Sequence, residues 1–264
     1  MPHVRVGPLP PWMTAEQLLG PHPWQETETG WFEATCSIPD AADVTARLRG
    51  LGFGGEPLRV EVSPALPRAA VRGARTEDAR RRRDTTPGFT RAGTRLDEEG
   101  RWSLTPEVLA MEMGRRIAAA HPGATVLDAG CGAGGNTIGF ARAGLRVIAV
   151  ERDADRLAMA RHNAGVYGIA DRVRFVHGDA LALAQTLAFD LCFCDPPWGV
   201  DWDRAVTTSV PLLTELPRPL WAKVPPSLDT RAFPEAQVWP FFGTRPGDAR
   251  RVKFLLIRLE PNPR

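Results

Sequence analysis

Along the second half of the chain, short apolar runs alternate with segments of helical period. Thr125 to Ala129, Leu145 to Val150, Val173 to Val176 and Phe189 to Cys194 are apolar with almost no polar interruption. Runs of this kind are strands covered on both faces, the signature of a parallel sheet. Between them, Asn136 to about Ala143 stops at Gly144 and Ala154 to Val166 stops at Gly168, both helices with a glycine past the end. Leu220 to Val224, Ala236 to Phe242 and Val252 to Leu259 add three strands, and Gly243-Thr-Arg-Pro-Gly247 joins the last two as an antiparallel hairpin. The pattern predicts an α/β, Rossmann-like architecture: a seven-stranded, mostly parallel sheet with an antiparallel last strand and helices on both faces.

The first half reads differently. Residues 1 to about 30 are dense in proline and tryptophan (Pro8, Pro10, Pro11, Trp12, Pro21, Pro23, Trp24), which suggests an extended arm or short helix. Trp31 to Ile38 reads as a strand, Asp40 caps a helix through Leu51, and Leu58 to Val62 alternates with period two, giving a β-α-β unit. Residues 1–87 are therefore expected to form a small N-terminal α+β module with a basic segment, followed by the larger unit over 88–264. That segment, Arg72 to Arg95, holds an arginine cluster at residues 80–83 and is a candidate phosphate contact. Beyond the Thr85-Thr-Pro-Gly88 break, Thr105 and Pro106 form a helix start as N-cap and first helical residue.

Composition narrows the class. At 264 residues and 43% apolar content the chain can build a real core, while a net charge of +2 confines any basic surface to a local patch. Four cysteines without a CxxC pair, and no apolar stretch long enough for a membrane, point to a reduced, cytoplasmic protein without a metal site.

The candidate chemistry lies at the carboxyl ends of the strands, where open α/β sheets bind ligands. Gly130, Gly132 and Gly135 satisfy GxGxxG, with Glu151 about 20 residues on, so the turn alone also fits a dinucleotide. Asp128 ahead of the glycines suits a ligand ammonium better than a pyrophosphate. Asp179, after the third strand, can accept from an adenine amino group, and Glu151 can accept from a ribose diol. Asp195-Pro-Pro-Trp198 ends the fourth strand. A ring-conjugated amine is a poor nucleophile until its N–H groups are held by acceptors. Asp195 and the Pro196 carbonyl are placed to be those acceptors, and Trp198 offers a flat apolar surface for a planar ring. Ammonium, diol and adenine without phosphate are the handles of S-adenosylmethionine.

The run from Thr94 to Asp203 resembles the trimethylguanosine synthase-like, RNA cap guanine 2-amino methyltransferase family, within the class I S-adenosylmethionine-dependent methyltransferases. Carrying the resemblance are Leu96-Asp-Glu-Glu-Gly100, Ser103-Leu-Thr-Pro-Glu107, Val126 to Ile138 with its Gly-Gly-Asn-Thr string, Ala160-Arg-His-Asn-Ala164, Val166-Tyr-Gly-Ile-Ala-Asp171 and Pro196-Pro-Trp-Gly199. The resemblance implies that Thr105 and Asp128 help hold the methionine end. Gly130, Gly132, Gly134, Asn136 and Thr137 would shape the cofactor loop, Glu151 would take the ribose and Asp179 the adenine, and Pro196 and Trp198 would bind a guanine. The family has a serine at Asp195 and usually an aspartate at Glu151. Asp-Pro-Pro resembles instead the tRNA and rRNA guanine 2-amino methyltransferases. The expected activity is methylation of the 2-amino group of guanosine in tRNA, rRNA or a cap-like RNA. Alternatives are an N-methyltransferase of a small-molecule amine or protein glutamine, and an RNA-binding protein with a catalytically silent methyltransferase fold. Oligomeric state is not legible.

Overall fold

The structure, a computed structural model, describes residues 1–81, 86–197, 211–245 and 247–261, with no side-chain description for Trp102 and Pro211. Its N-terminal part contains β1 (His3–Gly7), α1 (Ala15–Leu19), β2 (Gln25–Glu28), β3 (Trp31–Thr35), α2 (Ile38–Leu48), the short pair β4 (Gly52–Phe53) and β5 (Glu56–Pro57), β6 (Arg59–Ser63) and α3 (Arg68–Arg81). The proline-rich start is thus more ordered than an arm. His3 to Gly7 alternates polar and apolar residues, and Val4 and Val6 are fully buried. β1 is an inner strand of the four-stranded sheet β2-β3-β1-β6, antiparallel to both β3 and β6. β3 and β6 therefore run parallel, linked through α2 with β1 between them, which makes the expected β-α-β a split one. Ser37, not Asp40, caps α2: its Oγ accepts from the Asp40 N–H at 3.2 Å and donates to the Asp40 carboxylate at 2.5 Å. A cap must lie outside the helix with extended backbone, and Ser37 at φ −66°, ψ 158° meets that condition.

The larger sheet follows α4 (Gly100–Ser103) and α5 (Glu107–Ala120). It comprises β7 (Thr125–Ala129), α6 (Gly135–Arg142), β8 (Arg146–Glu151), α7 (Ala154–Tyr167), β9 (Val173–His177), α8 (Ala180–Ala184), β10 (Leu191–Cys194), α9 (Pro211–Glu215), β11 (Leu220–Val224), β12 (Gln237–Phe242) and β13 (Val252–Leu259). Strand order is β12-β13-β11-β10-β7-β8-β9, parallel from β11 to β9, with β13 antiparallel to both of its neighbours. This is the seven-stranded, mostly parallel sheet expected from the sequence. None of the described helices is long and apolar enough to cross a membrane.

Alternate residues of each strand separate into two buried clusters. Val126, Val147, Ala149, Leu191, Phe193, Trp221 and Leu256 pack with residues of α5, α6 and α7. There α5 and α6 approach so closely that a Cβ on Gly139 would lie 2.5 Å from the Ala110 carbonyl oxygen. Leu127, Ile148, Cys192, Ala222 and Ile257 face the other way and belong to one continuous apolar cluster with Val4, Val6, Val44 and Leu48 of the N-terminal part. Polar contacts reinforce that junction: Arg251 pairs with Asp78 at 2.6 Å, and the buried Arg47 guanidinium donates to the carbonyls of Leu18 and Arg250. Burying a guanidinium is costly unless its N–H groups find acceptors, so Arg47 ties these segments in one arrangement.

Candidate active site

β7 ends at Ala129, and five residues later the chain is helical again in α6. Gly130, Gly132 and Gly134 all adopt left-handed φ values, +90°, +53° and +91°, which side chains disfavour. The turn is held on the neighbouring strand: Gly130 N–H and Cys131 N–H both donate to the Val150 carbonyl, at 3.0 and 2.8 Å. Glu151, at the end of β8, accepts from the Gly132 N–H at 2.9 Å and the Asp153 N–H at 3.0 Å. Nothing lies within 4 Å of where a Cβ would stand on Gly130 or Gly132, so the backbone there is an open shelf.

Side-chain parity brings the acidic strand ends together. Asp128 alternates with Val126, Glu151 with Ala149, Asp195 with Phe193 and Lys223 with Trp221, all on the α5–α6 side of the sheet. Asp128 is 1% exposed. Thr137 Oγ donates to its Oδ2 at 2.5 Å, from the first turn of α6. Desolvation pushes the carboxyl up to about 7, the charges of Asp195 and Glu151 add to that rise, and the Thr137 hydrogen bonds oppose it. Asp128 therefore acts from beneath the glycine turn.

Asp195 Oδ2 collects three donors from distant parts of the chain: Lys223 Nζ at 2.8 Å, Asn136 Nδ2 at 3.0 Å and Thr105 Oγ at 3.4 Å. The Lys223 and Asp195 side chains are 9% and 16% exposed, so this is a mostly buried ion pair. Holding Asp195 in this way orients the Asn136 amide, because the reverse orientation would set two acceptors against each other. Asn136 Oδ1 is then a buried acceptor with no hydrogen-bond partner among the described residues.

Most of the residues singled out from the sequence converge. Thr105, Asn136 and Asp195 meet directly, Asp128 meets Thr137, and Glu151 meets the turn at Gly132. Thr105 is not a cap, however. Pro106 occupies the N-cap position of α5 with no side-chain cap bond, and Thr105, 2% exposed, turns inward to Asp195. The reason is packing: Leu104 Cδ1 fills the space where a Cβ of Gly135 would be, drawing residues 104 and 105 across the start of α6. Asp179 is exposed after β9 and caps α8, accepting from the Ala182 N–H at 3.0 Å, and its carboxylate forms no hydrogen bond or ion pair with another site residue among the described residues. Pro196 is buried, whereas Trp198 lies outside the described residues. Within the basic segment, Arg72 and Arg75 are exposed on α3. Arg80 and Arg81 pair with Glu77, Arg91 donates to the Val166 carbonyl, and Arg82 and Arg83 lie outside the described residues. His162 and His177 each contact a backbone carbonyl, of Gly93 and Arg152. Cys192 and Cys194 are buried, and burial raises both thiols, Cys192 to about 12. They are inert packing.

Lys223 is the residue that sequence reading passed over. The signal was there: a charge inside the otherwise apolar Leu220-Trp-Ala-Lys-Val224, and one of only two lysines in the chain.

Comparison with known proteins agrees with the geometry. Residues 123–208 match the RNA cap guanine-N2 methyltransferase family. The trimethylguanosine synthase of Schizosaccharomyces pombe is 39% identical over 113 residues, 40% of this chain and 47% of that protein. That of Saccharomyces cerevisiae is 34% identical over 110 residues, 39% of this chain and 35% of that protein. A release factor glutamine methyltransferase of Chlorobaculum tepidum is 39% identical over 80 residues, 28% of this chain and 27% of that protein. The chain thus spans less than half the length of these curated relatives. Among solved structures, an RNA methyltransferase from Salinibacter ruber in complex with S-adenosyl-L-homocysteine is 22% identical with a TM-score of 0.39, covering 58% of this chain and 90% of that one. Over its matched segment, the chain is similar to the RNA cap guanine-N2 methyltransferases and to the trimethylguanosine synthases.

Proposed function

We propose that this protein is an S-adenosylmethionine-dependent N-methyltransferase acting on the exocyclic 2-amino group of guanosine in RNA. The observation that supports it most is the Asp195 carboxylate. Among the described residues its three donors all fall on Oδ2, which leaves Oδ1 to accept from a substrate amine.

The residues present fit the cofactor. A ligand carrying an ammonium and a sulfonium matches a site where Asp128, Glu151 and Asp195 face one lysine. The partnerless Asn136 Oδ1 is an acceptor for that ammonium, and the open backbone at Gly130 and Gly132 admits a close-lying ligand. Glu151 keeps lone pairs for a ribose diol after accepting its two backbone N–H groups. Asp179, although engaged as a cap, is exposed at the strand end where an adenine amino group would lie. When bound, S-adenosylmethionine supplies a sulfonium-borne methyl group as electrophile and is left as a neutral thioether.

This chain's residues do the rest. Asp195 Oδ1 and the Pro196 carbonyl accept the two N–H groups of the guanine amine and aim its lone pair. As nitrogen gains the new bond it becomes acidic, and Asp195 receives the proton it loses before passing it to water. The acceleration comes from positioning and from acceptors matched to charge developing on nitrogen. Trp198 stacks the base, and Arg72 and Arg75 on α3 contact phosphates.

The test is to incubate the protein with labelled methyl donor, total RNA and total cell protein, then digest the RNA to nucleosides. Label in N2-methylguanosine is the expected result. A second reading, methylation of a protein glutamine, is favoured by the similarity to release factor glutamine methyltransferases. Label confined to protein would establish that reading and overturn the first. Salt-sensitive RNA binding with no label anywhere would mark a silent fold.

A further inference from the structure

We propose that Lys223 is a positioning residue of the reaction centre: with Asn136 and Thr105 it fixes the Asp195 carboxylate by Oδ2, so that Oδ1 alone is presented to the substrate amine. The inference rests on the function proposed above and adds to it a residue outside the matched family segment, which ends at residue 208.

Three observations carry it. Lys223 stands in the third-to-last strand on the α5–α6 face, the same face as Asp128, Glu151 and Asp195, and one residue past the Cys194–Ala222 pair, which sets it at the strand end beside Asp195. Its ammonium lies 2.8 Å from Asp195 Oδ2 and 5.3 Å from the centre of the Phe254 ring, an arrangement that restricts the side chain from two directions. Finally, the three donors to Oδ2 come from different elements: Asn136 from α6, Thr105 from the residues just before α5 and Lys223 from β11. The Asn136 amide and the Thr105 hydroxyl belong to segments bearing directly on the glycine turn, whereas Lys223 is anchored in the sheet itself.

Chemistry explains the need for such an anchor. A free aspartate rotates about its terminal bond and presents either oxygen, and two consecutive prolines fix the backbone after it but not its side chain. A carboxylate that must accept one N–H while leaving the lone pair of nitrogen directed at an electrophile has to be held through its other oxygen. The ammonium of Lys223 also sets an opposite charge 2.8 Å from Asp195 Oδ2, in a site that holds Asp128 and Glu151 as well.

The proposal predicts a split between turnover and binding. In full-length protein, Lys223→Met should lower kcat about 10-fold or more at saturating cofactor, while S-adenosylhomocysteine affinity measured by calorimetry changes less than about 3-fold. Lys223→Arg should restore part of the turnover, because it returns the charge in an altered geometry. Lys223→Gln, which keeps a donor without the charge, serves if the methionine variant does not fold, with circular dichroism checking each protein. In a double-mutant cycle, Lys223→Met on top of Asp195→Asn should add little further loss. Undiminished kcat in Lys223→Met or Lys223→Gln, or independent losses in the cycle, would overturn the assignment. So would a loss confined to S-adenosylhomocysteine affinity, which would move Lys223 into the cofactor pocket. If the wild-type protein labels an acceptor other than RNA guanosine, the function proposed above has failed instead, and the same cycle is read on that acceptor. Wild-type protein that labels nothing overturns both.

Discussion

Two carboxylates end neighbouring strands of the same sheet and face the same way, yet their surroundings oppose each other. Asp128 is sealed, its visible partner is a neutral hydroxyl nine residues along the chain, and burial brings its carboxyl to about 7. Asp195 is partly open and holds an ammonium, an amide and a hydroxyl drawn from 28, 59 and 90 residues away. The first arrangement suits a group that senses the arrival of a cation. The second suits a fixed, charged acceptor. Strand position made the two carboxylates neighbours, and their partners separated their roles.

The sharpest way to break this comparison is at Asp195. Asp195→Ala should lower turnover about 100-fold or more, about 2.7 kcal/mol in activation free energy, while S-adenosylhomocysteine still binds. Undiminished turnover would remove Asp195 from the chemistry and leave it as an anchor for residues 195–197. Lys223→Met probes the same carboxylate from behind with a smaller effect, as set out above. Trp198→Ala belongs to the substrate side: stacking accounts for about 1 to 3 kcal/mol, to be read as raised KM for RNA at constant cofactor affinity. A loss in cofactor affinity alone would assign the ring elsewhere.

Asp128 gives a prediction of opposite kind, in pH and stability. Its folded carboxyl titrates higher than an unfolded aspartate, so between about pH 4 and 7 the folded chain holds the extra proton. The stability that this proton confers is present at the acid end and is lost as pH rises through 7. Asp128→Asn cannot titrate, so subtracting its unfolding free energy from that of the wild type should isolate a fall of about 3 kcal/mol between pH 5 and 8. Binding of a cation should favour the ionised carboxyl. Calorimetry of S-adenosylmethionine in buffers of different ionisation enthalpy is thus expected to show proton release near pH 6.5 from the wild type and less from Asp128→Asn. Equal release would place the titrating group elsewhere. The smallest effect belongs to the exposed helix: Arg72→Glu and Arg75→Glu should weaken RNA binding and flatten its salt dependence by roughly 0.7 in log–log slope per lost phosphate contact. An unchanged slope would make α3 a solvated face.

Strong local signals explain what was legible beforehand. Apolar strands too uninterrupted for one-sided burial, the first two each followed by a helix and a glycine, specified the parallel sheet, and the hairpin turn specified its antiparallel member. The proline-rich start misled because five alternating residues, His3 to Gly7, are a weak signal beside the irregular expectation set by six prolines in the first 30 residues. β1 became an inner strand because the buried Val4 and Val6 find apolar partners on both neighbours, Ala34 and Phe32 on β3 and Val62 and Val60 on β6. Thr105 before Pro106 has the local chemistry of a cap, but the packing of Leu104 on Gly135 turned it into the site.

By itself the sequence determined the strand-end positions of Asp128, Glu151 and Asp195, because an uninterrupted apolar run that stops at a carboxylate locates a strand terminus without reference to any distant residue. It also carried the family strings over residues 94–203. Tertiary structure alone decided which donors each carboxylate would meet. Lys223 reaches Asp195 only because β11 lies beside β10 in register, Cys194 against Ala222, and no local rule encodes that pairing. An ion pair between residues on adjacent parallel strands depends on sheet order, and sheet order is fixed by the packing of the whole chain.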